Sequence, residues 1–172
     1  MKLVNPTEIE SHGVHLNDAS HTAAAIIAKI AGEDAPLMQG IMPHAVFLTN
    51  ESPNRLLQVS VGYSWNGLDG RAQTVAFTHL ALNHMPADQL CPGETRMFVP
   101  ERRLNLHFAQ KASERTPLVG LSEILARMET DFASVSELTA FVDSVTLEGI
   151  GLIGPDLSRG RAAGYDRKTV YS

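Results

Sequence analysis

Residues 57–65 read Leu-Gln-Val-Ser-Val-Gly-Tyr-Ser-Trp. Leu57, Val59, Val61, Tyr63 and Trp65 alternate with Gln58, Ser60, Gly62 and Ser64, the period of two in which successive side chains take opposite faces of a sheet. β-Branched and aromatic residues suit such a pleated, half-buried surface. The stretch predicts a strand with Val59, Val61, Tyr63 and Trp65 toward the core and Gln58, Ser60 and Ser64 outward. Asn66-Gly67 and Asp69-Gly70 follow, dipeptides that accept the positive φ of hairpin turns. A second run then places Gln73, Val75, Phe77 and His79 on one face and Ala72, Thr74, Ala76 and Thr78 on the other. Together the two runs predict a long antiparallel hairpin.

Working outward, residues 45–50 form a short apolar run closed by the turn chemistry of Asn50-Glu51-Ser52-Pro53-Asn54. After Pro92-Gly93, Met97 and Val99 and then Leu104, Leu106 and Phe108 alternate around Pro100, predicting two more short strands. Thr116-Pro117 suits a helix start, and Leu118, Leu121, Leu125 and Met128, with Ile124 beside them, predict an amphipathic helix over about residues 117–130. Phe141, Val145 and Leu147 oppose Ser144, Thr146 and Glu148 in another strand, and Ile150, Leu152 and Ile153 make a last short one. Near the start, Asn17, Asp18 or Ser20 can cap a helix filled by residues 23–31, with Lys29 in its last turn and Gly32 ending it.

Short strands separated by turns, without an alternating strand–helix rhythm, predict a mainly β chain: an antiparallel β-sandwich with two appended α-helices. The expected organisation is an N-terminal segment with one helix (1–40), a sandwich domain with an inserted helix (41–157) and a basic tail (158–172). VFLTNES, QVSVGYSWNGLDGR, PGE before a strand, FVDSVTLEG and GPD together resemble a layout found in uncharacterised bacterial immunoglobulin-like β-sandwich proteins. The resemblance spans roughly residues 45–99 and 141–156 and rests mostly on turn residues. It implies an immunoglobulin-like sandwich and carries no activity or catalytic residue onto this chain.

The 172 residues are 44% hydrophobic and 19% charged, enough apolar content for one well-formed core and outside the composition of disordered chains. The net charge is −5. Arg159, Arg161, Arg167 and Lys168 against Asp166 give the tail +3, leaving −8 on residues 1–157, with ten basic and eighteen acidic side chains. Four cations beside so acidic a body steer polyanions weakly, so no nucleic-acid partner is expected. The longest apolar run, residues 23–28, is far short of the roughly 20 residues that span a bilayer, and no membrane association is expected. A single cysteine, Cys91, allows no internal disulfide, and MKLVNPTEIE lacks the apolar core of a secretory signal, which together predict a cytoplasmic protein.

Gly149, Gly151 and Gly154 spell G-x-G-x-x-G, but the 18 residues that follow contain Pro155, Gly160 and Gly164 and hold no room for the helix and strand of a dinucleotide site. They read as strand-turn glycines. Ser64 lies in a near-match to a nucleophile elbow whose second glycine comes one residue late and whose sequel is a hairpin rather than a helix. Glu101, Arg102 and Arg103 read as an exposed turn, and Cys91 has no cation beside it to activate the thiol. The leading expectation is a non-catalytic binding or assembly module without a cofactor, acting on a protein partner or on a second copy of itself. The alternative is a metal-dependent enzyme or metal-binding protein that holds a divalent ion with His12, His15, His21 and Asp18, nitrogen and oxygen donors within ten residues of one another.

Overall fold

The hairpin strands pair on one further side, and that third strand carries the core. In the computed structural model, residues 1–66, 73–81, 89–135 and 137–158 are described. β1 (Lys2–Val4), α1 (Thr7–Glu10), β2 (Val14–Asp18) and α2 (Ala24–Ala31) are followed by β3 (Val46–Asn50), β4 (Leu56–Asn66), β5 (Gln73–Ala81) and β6 (Thr95–Phe98). α3 (Arg102–Ala109), α4 (Leu121–Phe132), β7 (Leu138–Leu147) and β8 (Gly151–Ile153) complete the described elements. One sheet runs β1-β7-β4-β5, with β8 also on β7, and the other runs β2-β3-β6. The expected hairpin is β4–β5, paired from Gln58↔Ala81 to Asn66↔Gln73, while its turn at residues 67–70 lies outside the described residues. β1 is parallel to β7, so the larger sheet is mixed, and β1 and β8 occupy the same edge of β7 at different heights.

The two sheets bury one contiguous apolar cluster that includes Val59, Val61 and Tyr63 from β4, Val142 and Val145 from β7, and Phe47, Leu48 and Phe98 from the smaller sheet. Tyr63 is fully buried and its hydroxyl donates to the Phe98 carbonyl at 2.8 Å, joining the sheets through the middle of that core. Burial alone raises its ionisation well above the ordinary tyrosine value. Asn50, also fully buried, donates to the carbonyls of Asn54 and Leu90 and accepts from the Ser52 amide and hydroxyl, which satisfies the turn read from residues 50–54.

Helix, 3₁₀ turns included, and strand occupy similar shares of the described residues, which hold two sheets and four α-helices where a mainly β chain with two helices was expected. Two α-helices beyond the expected pair, together with short 3₁₀ turns, explain the difference. The stretch read as a strand at Leu104, Leu106 and Phe108 is α3, capped by the Glu101 carboxylate accepting from the Arg103 amide at 2.9 Å. Residues 104 and 108 share a helical face, and both are buried while Leu106 is 48% exposed. Buried Asn105 fixes this helix by accepting from the Val99 amide and donating to the Val99 carbonyl and the Thr78 hydroxyl. The second element is α1, one turn, in the N-terminal 40 residues, which also supply β1 and β2 to the two sheets. α4 starts four residues later than expected from Pro117, behind Gly120 in the left-handed region at φ 73°.

β4 keeps Val59, Val61 and Tyr63 in the core as expected, but a bulge in β7 moves Phe141 off the face expected for it. Ser60 pairs with Ser144 and Val61 with Val142, leaving Asp143 as an extra residue on β7. Phe141 therefore does not share a face with Val145 and Leu147. It lies across Gly62, where a Cβ would collide with the ring, and meets Phe77 edge-on at 5.8 Å. The bulge also covers Ser60, which is 1% exposed rather than outward, and which donates to the Asp143 carboxylate at 3.2 Å. The same carboxylate accepts from the amides of Leu157 and Ser158, pinning the segment after β8 against the sheet. The basic tail beyond it, residues 159–172, lies outside the described residues. No helix among the described residues is long and apolar enough to cross a membrane.

These placements are checked by chemical denaturation. Leu104→Ala should cost about 2–5 kcal/mol and Leu106→Ala no more than about 0.5, whereas a strand would make both costly. Ser60→Ala should cost about 1–3 kcal/mol by leaving a buried carboxylate one donor short.

Candidate functional site

The four residues of the metal expectation fall on three consecutive local structures. His12 follows α1 and its Nδ1 lies 2.9 Å from the Glu8 carbonyl. His15 is in β2, opposite Thr49. Asp18 and His21 are brought together, Nδ1 to Oδ1 at 2.8 Å, because Asp18 caps the 3₁₀ turn Ala19–His21. Its carboxylate accepts from the Ser20 hydroxyl, the Ser20 amide and the His21 amide, and the Ser20 and His21 side chains hold its pKa down at about 2. Among the described residues, no three histidine, cysteine or carboxylate side chains group in a way that could hold a metal ion.

The other sequence candidates take structural places. Gly149, Gly151 and Gly154 all have positive φ, around β8, and a side chain at Gly154 would strike the Asp143 carbonyl. Ser64 sits well inside β4, which continues to Asn66. Glu101 caps α3 and pairs with Arg127 of α4 at 3.0 Å. Of the histidines outside that cluster, His44 packs against the Phe132 ring at 5.4 Å, and His107, buried, bonds Asp34 at 2.9 Å. His84 lies outside the described residues.

Two clefts of similar size differ in charge. One, about 610 Å³, lies between β4–β5 and α4 on an aromatic floor of Trp65, Phe77 and Phe132. Its Arg102 and Arg127 are matched by Glu101 and Asp131. The other, about 620 Å³, opens between α2, β6 and the connection from α3 to α4, and Lys29, Arg96, Lys111 and Arg115 line it against the single carboxylate of Glu94. An excess of one sign on low-dielectric walls concentrates ions of the opposite sign. This second cleft is the candidate site.

Arg115 builds it. Its side chain is only 5% exposed, stacks over the Phe108 ring at 4.8 Å and bonds Asp34 at 3.2 Å. The guanidinium also donates to the carbonyls of Ile30, Ala31 and Gln110. Ile30 and Ala31 end α2, so a cation satisfies carbonyls that have no partner within the helix and lies at the negative end of its dipole. Arg115 Nε is buried with no hydrogen-bond partner among the described residues. Behind it, Gly32 reverses the chain at φ 58° and approaches Ala112 so closely that a Cβ would clash, which closes the cleft between α2 and the α3–α4 connection. Arg96, 8% exposed on β6, supplies a wall, and Ile26, 38% exposed on α2, supplies apolar surface.

Sequence reasoning singled out none of this as a site. Lys29 was read only as a helix-end charge, and Arg96, Lys111 and Arg115 follow no period that links them. No family model, curated protein or solved structure matches the chain.

Burial lowers the His44 pKa below its ordinary 6.5, with the positive Met1 amino group a smaller cause. The unfolded chain then takes up the proton first, so the stability contributed by neutral His44 is complete above pH 6.5 and is lost as pH falls through the folded value. Urea titrations should show wild type losing stability relative to His44→Gln between about pH 7.5 and 5.5. Parallel curves would show that His44 is not desolvated.

Proposed function

We propose that the protein is a non-catalytic binding module that recognises an anionic group in the cleft between α2, β6 and the α3–α4 connection. The observation that carries this reading is the imbalance of the lining: with Arg115 paired to Asp34, Lys29, Arg96 and Lys111 still face the single carboxylate of Glu94 in a chain of net charge −5. Arg115 is fixed in place by five contacts rather than left to wave in solvent, so little ordering entropy remains to be lost on binding. Its two terminal nitrogens are already bonded to Asp34 and three carbonyls, so it holds the walls in place while the exposed Lys29 and Lys111 ammonium groups meet the oxyanion. The immunoglobulin-like layout expected for residues 45–99 and 141–156 stays within this proposal, supported by two sheets over one core.

The assembly half of the reading has its own support at β8. That strand pairs with β7 alone among the described strands, and it leaves Ile150 and Leu152 about half exposed at its end of the sheet. Apolar side chains beside an open edge are suited to a protein partner or a second copy of the chain. Light scattering after size exclusion should then find a dimer that Leu152→Glu converts to monomer. A wild-type monomer at all concentrations would remove self-association through this edge.

For the cleft, inorganic phosphate titrated by calorimetry should bind at low ionic strength and weaken as salt rises. Lys29→Ala and Lys111→Ala, both rim changes that leave Arg115 intact, should each weaken binding roughly twofold to fivefold. A double variant carrying Lys29→Ala and Lys111→Ala together also separates binding from the general stabilisation that phosphate gives by exclusion from protein surfaces. Wild type that binds no phosphate, or binds it as well as the double variant does, would overturn the reading.

A further inference from the structure

We infer that the anion held by this cleft is amphiphilic: an oxyanion head, carboxylate or phosphate monoester, on a flexible aliphatic chain. This rests on the anion-binding reading and goes beyond it, because the cleft has a second chemical character. Ile26 and Ile30 lie four residues apart on α2, with Lys29 between them in sequence, so one helix face offers aliphatic surface and a cation together. Across from them the lining includes Leu90 and the Phe108 ring. Phe108 is covered on one side by the Arg115 guanidinium, which places a fixed cation next to apolar wall.

Leu90 and Phe108 are already buried, so a free phosphate or a short carboxylate would use the basic groups and leave the isoleucine surface of α2 wet. Ile26 shows the consequence, with 38% of its surface exposed although it lines a concave site. Burying that surface is favourable only for a ligand that brings apolar area with its charge. A volume of about 620 Å³ falls within the range of small-molecule sites, and such sites combine apolar walls with a few placed polar groups. A bound aliphatic chain would also cover α2, of which only Ala31 is buried.

The test is calorimetric titration of the full chain with two homologous series, acetate, hexanoate and decanoate, and methyl, hexyl and decyl phosphate, all below micelle-forming concentrations. Affinity should rise about twofold to fourfold per methylene within at least one series, and the tighter series identifies the head group. Decanol should bind far more weakly than the matching anion. Ile26→Ala should flatten the chain-length dependence, and Lys111→Ala should weaken every member of the series by a similar factor without changing that dependence. If phosphate binds but affinity is independent of chain length, the amphiphile inference fails and the anion reading stands. If an acidic peptide binds and no alkyl anion exceeds inorganic phosphate, the inference likewise fails in favour of a protein ligand. If decanol matches decanoate, or no anion binds to folded wild type, the anion reading itself fails.

Discussion

The hydroxyl of Tyr63 on the carbonyl of Phe98 is the contact around which the two sheets are arranged. A phenol that is completely buried must either find an acceptor or forfeit a hydrogen bond, and the acceptor it finds belongs to the opposite sheet. That one bond fixes the separation of β4 from β6 and sets β6 at a defined height. Because only three residues separate the end of β6 from the start of α3 and Asn105 bonds both the amide and the carbonyl of Val99, the height of β6 also positions the helix and the loop that lead into the cleft. Arg96, two residues before Phe98, enters the cleft wall from the same strand.

Arg115 plays the corresponding part at the surface. α2 contributes little to the core, so propensity and its partly packed isoleucines would leave it loosely attached. A buried guanidinium on its terminal carbonyls supplies the missing tie, and Asp34 compensates the charge that such burial would otherwise make costly. The same Asp34 oxygen also bonds His107 of α3, so α2, α3 and the following connection meet at one carboxylate. A site made in this way is preorganised by groups that are part of the fold's own hydrogen bonding.

The sheet was legible where one face is buried over many residues. β4 and β5 have nine registered pairs, long enough for a period of two to emerge from single residues. Leu104, Leu106 and Phe108 alternate as a strand would, yet 104 and 108 also share a helical face, and five residues satisfy both periods. The deciding signal was Glu101 as a cap, which reads equally as a turn charge when seen alone. Ser60 was placed outward because alternation assumes one wet face, whereas the Asp143 bulge and the segment ending at Ser158 cover that face too. β1 and α1, three and four residues long, are too short to carry any period. The cleft was illegible for a different reason: Lys29, Arg96, Lys111 and Arg115 converge only through tertiary structure, while the histidines that cluster in sequence are dispersed by it.

The ring of Phe141 laid over Gly62 has a consequence on an evolutionary timescale. The glycine has no side chain because the ring occupies that space, and the ring has its place because the glycine leaves it open. Neither position can change freely while the other stays as it is, although they are far apart in the chain and adjacent in the ladder. In relatives of this protein the two sites should drift as a pair: a lineage that gains a side chain at position 62 must first lose the aromatic at 141, and the intermediate with neither would carry a hole in the sheet face beside Phe77.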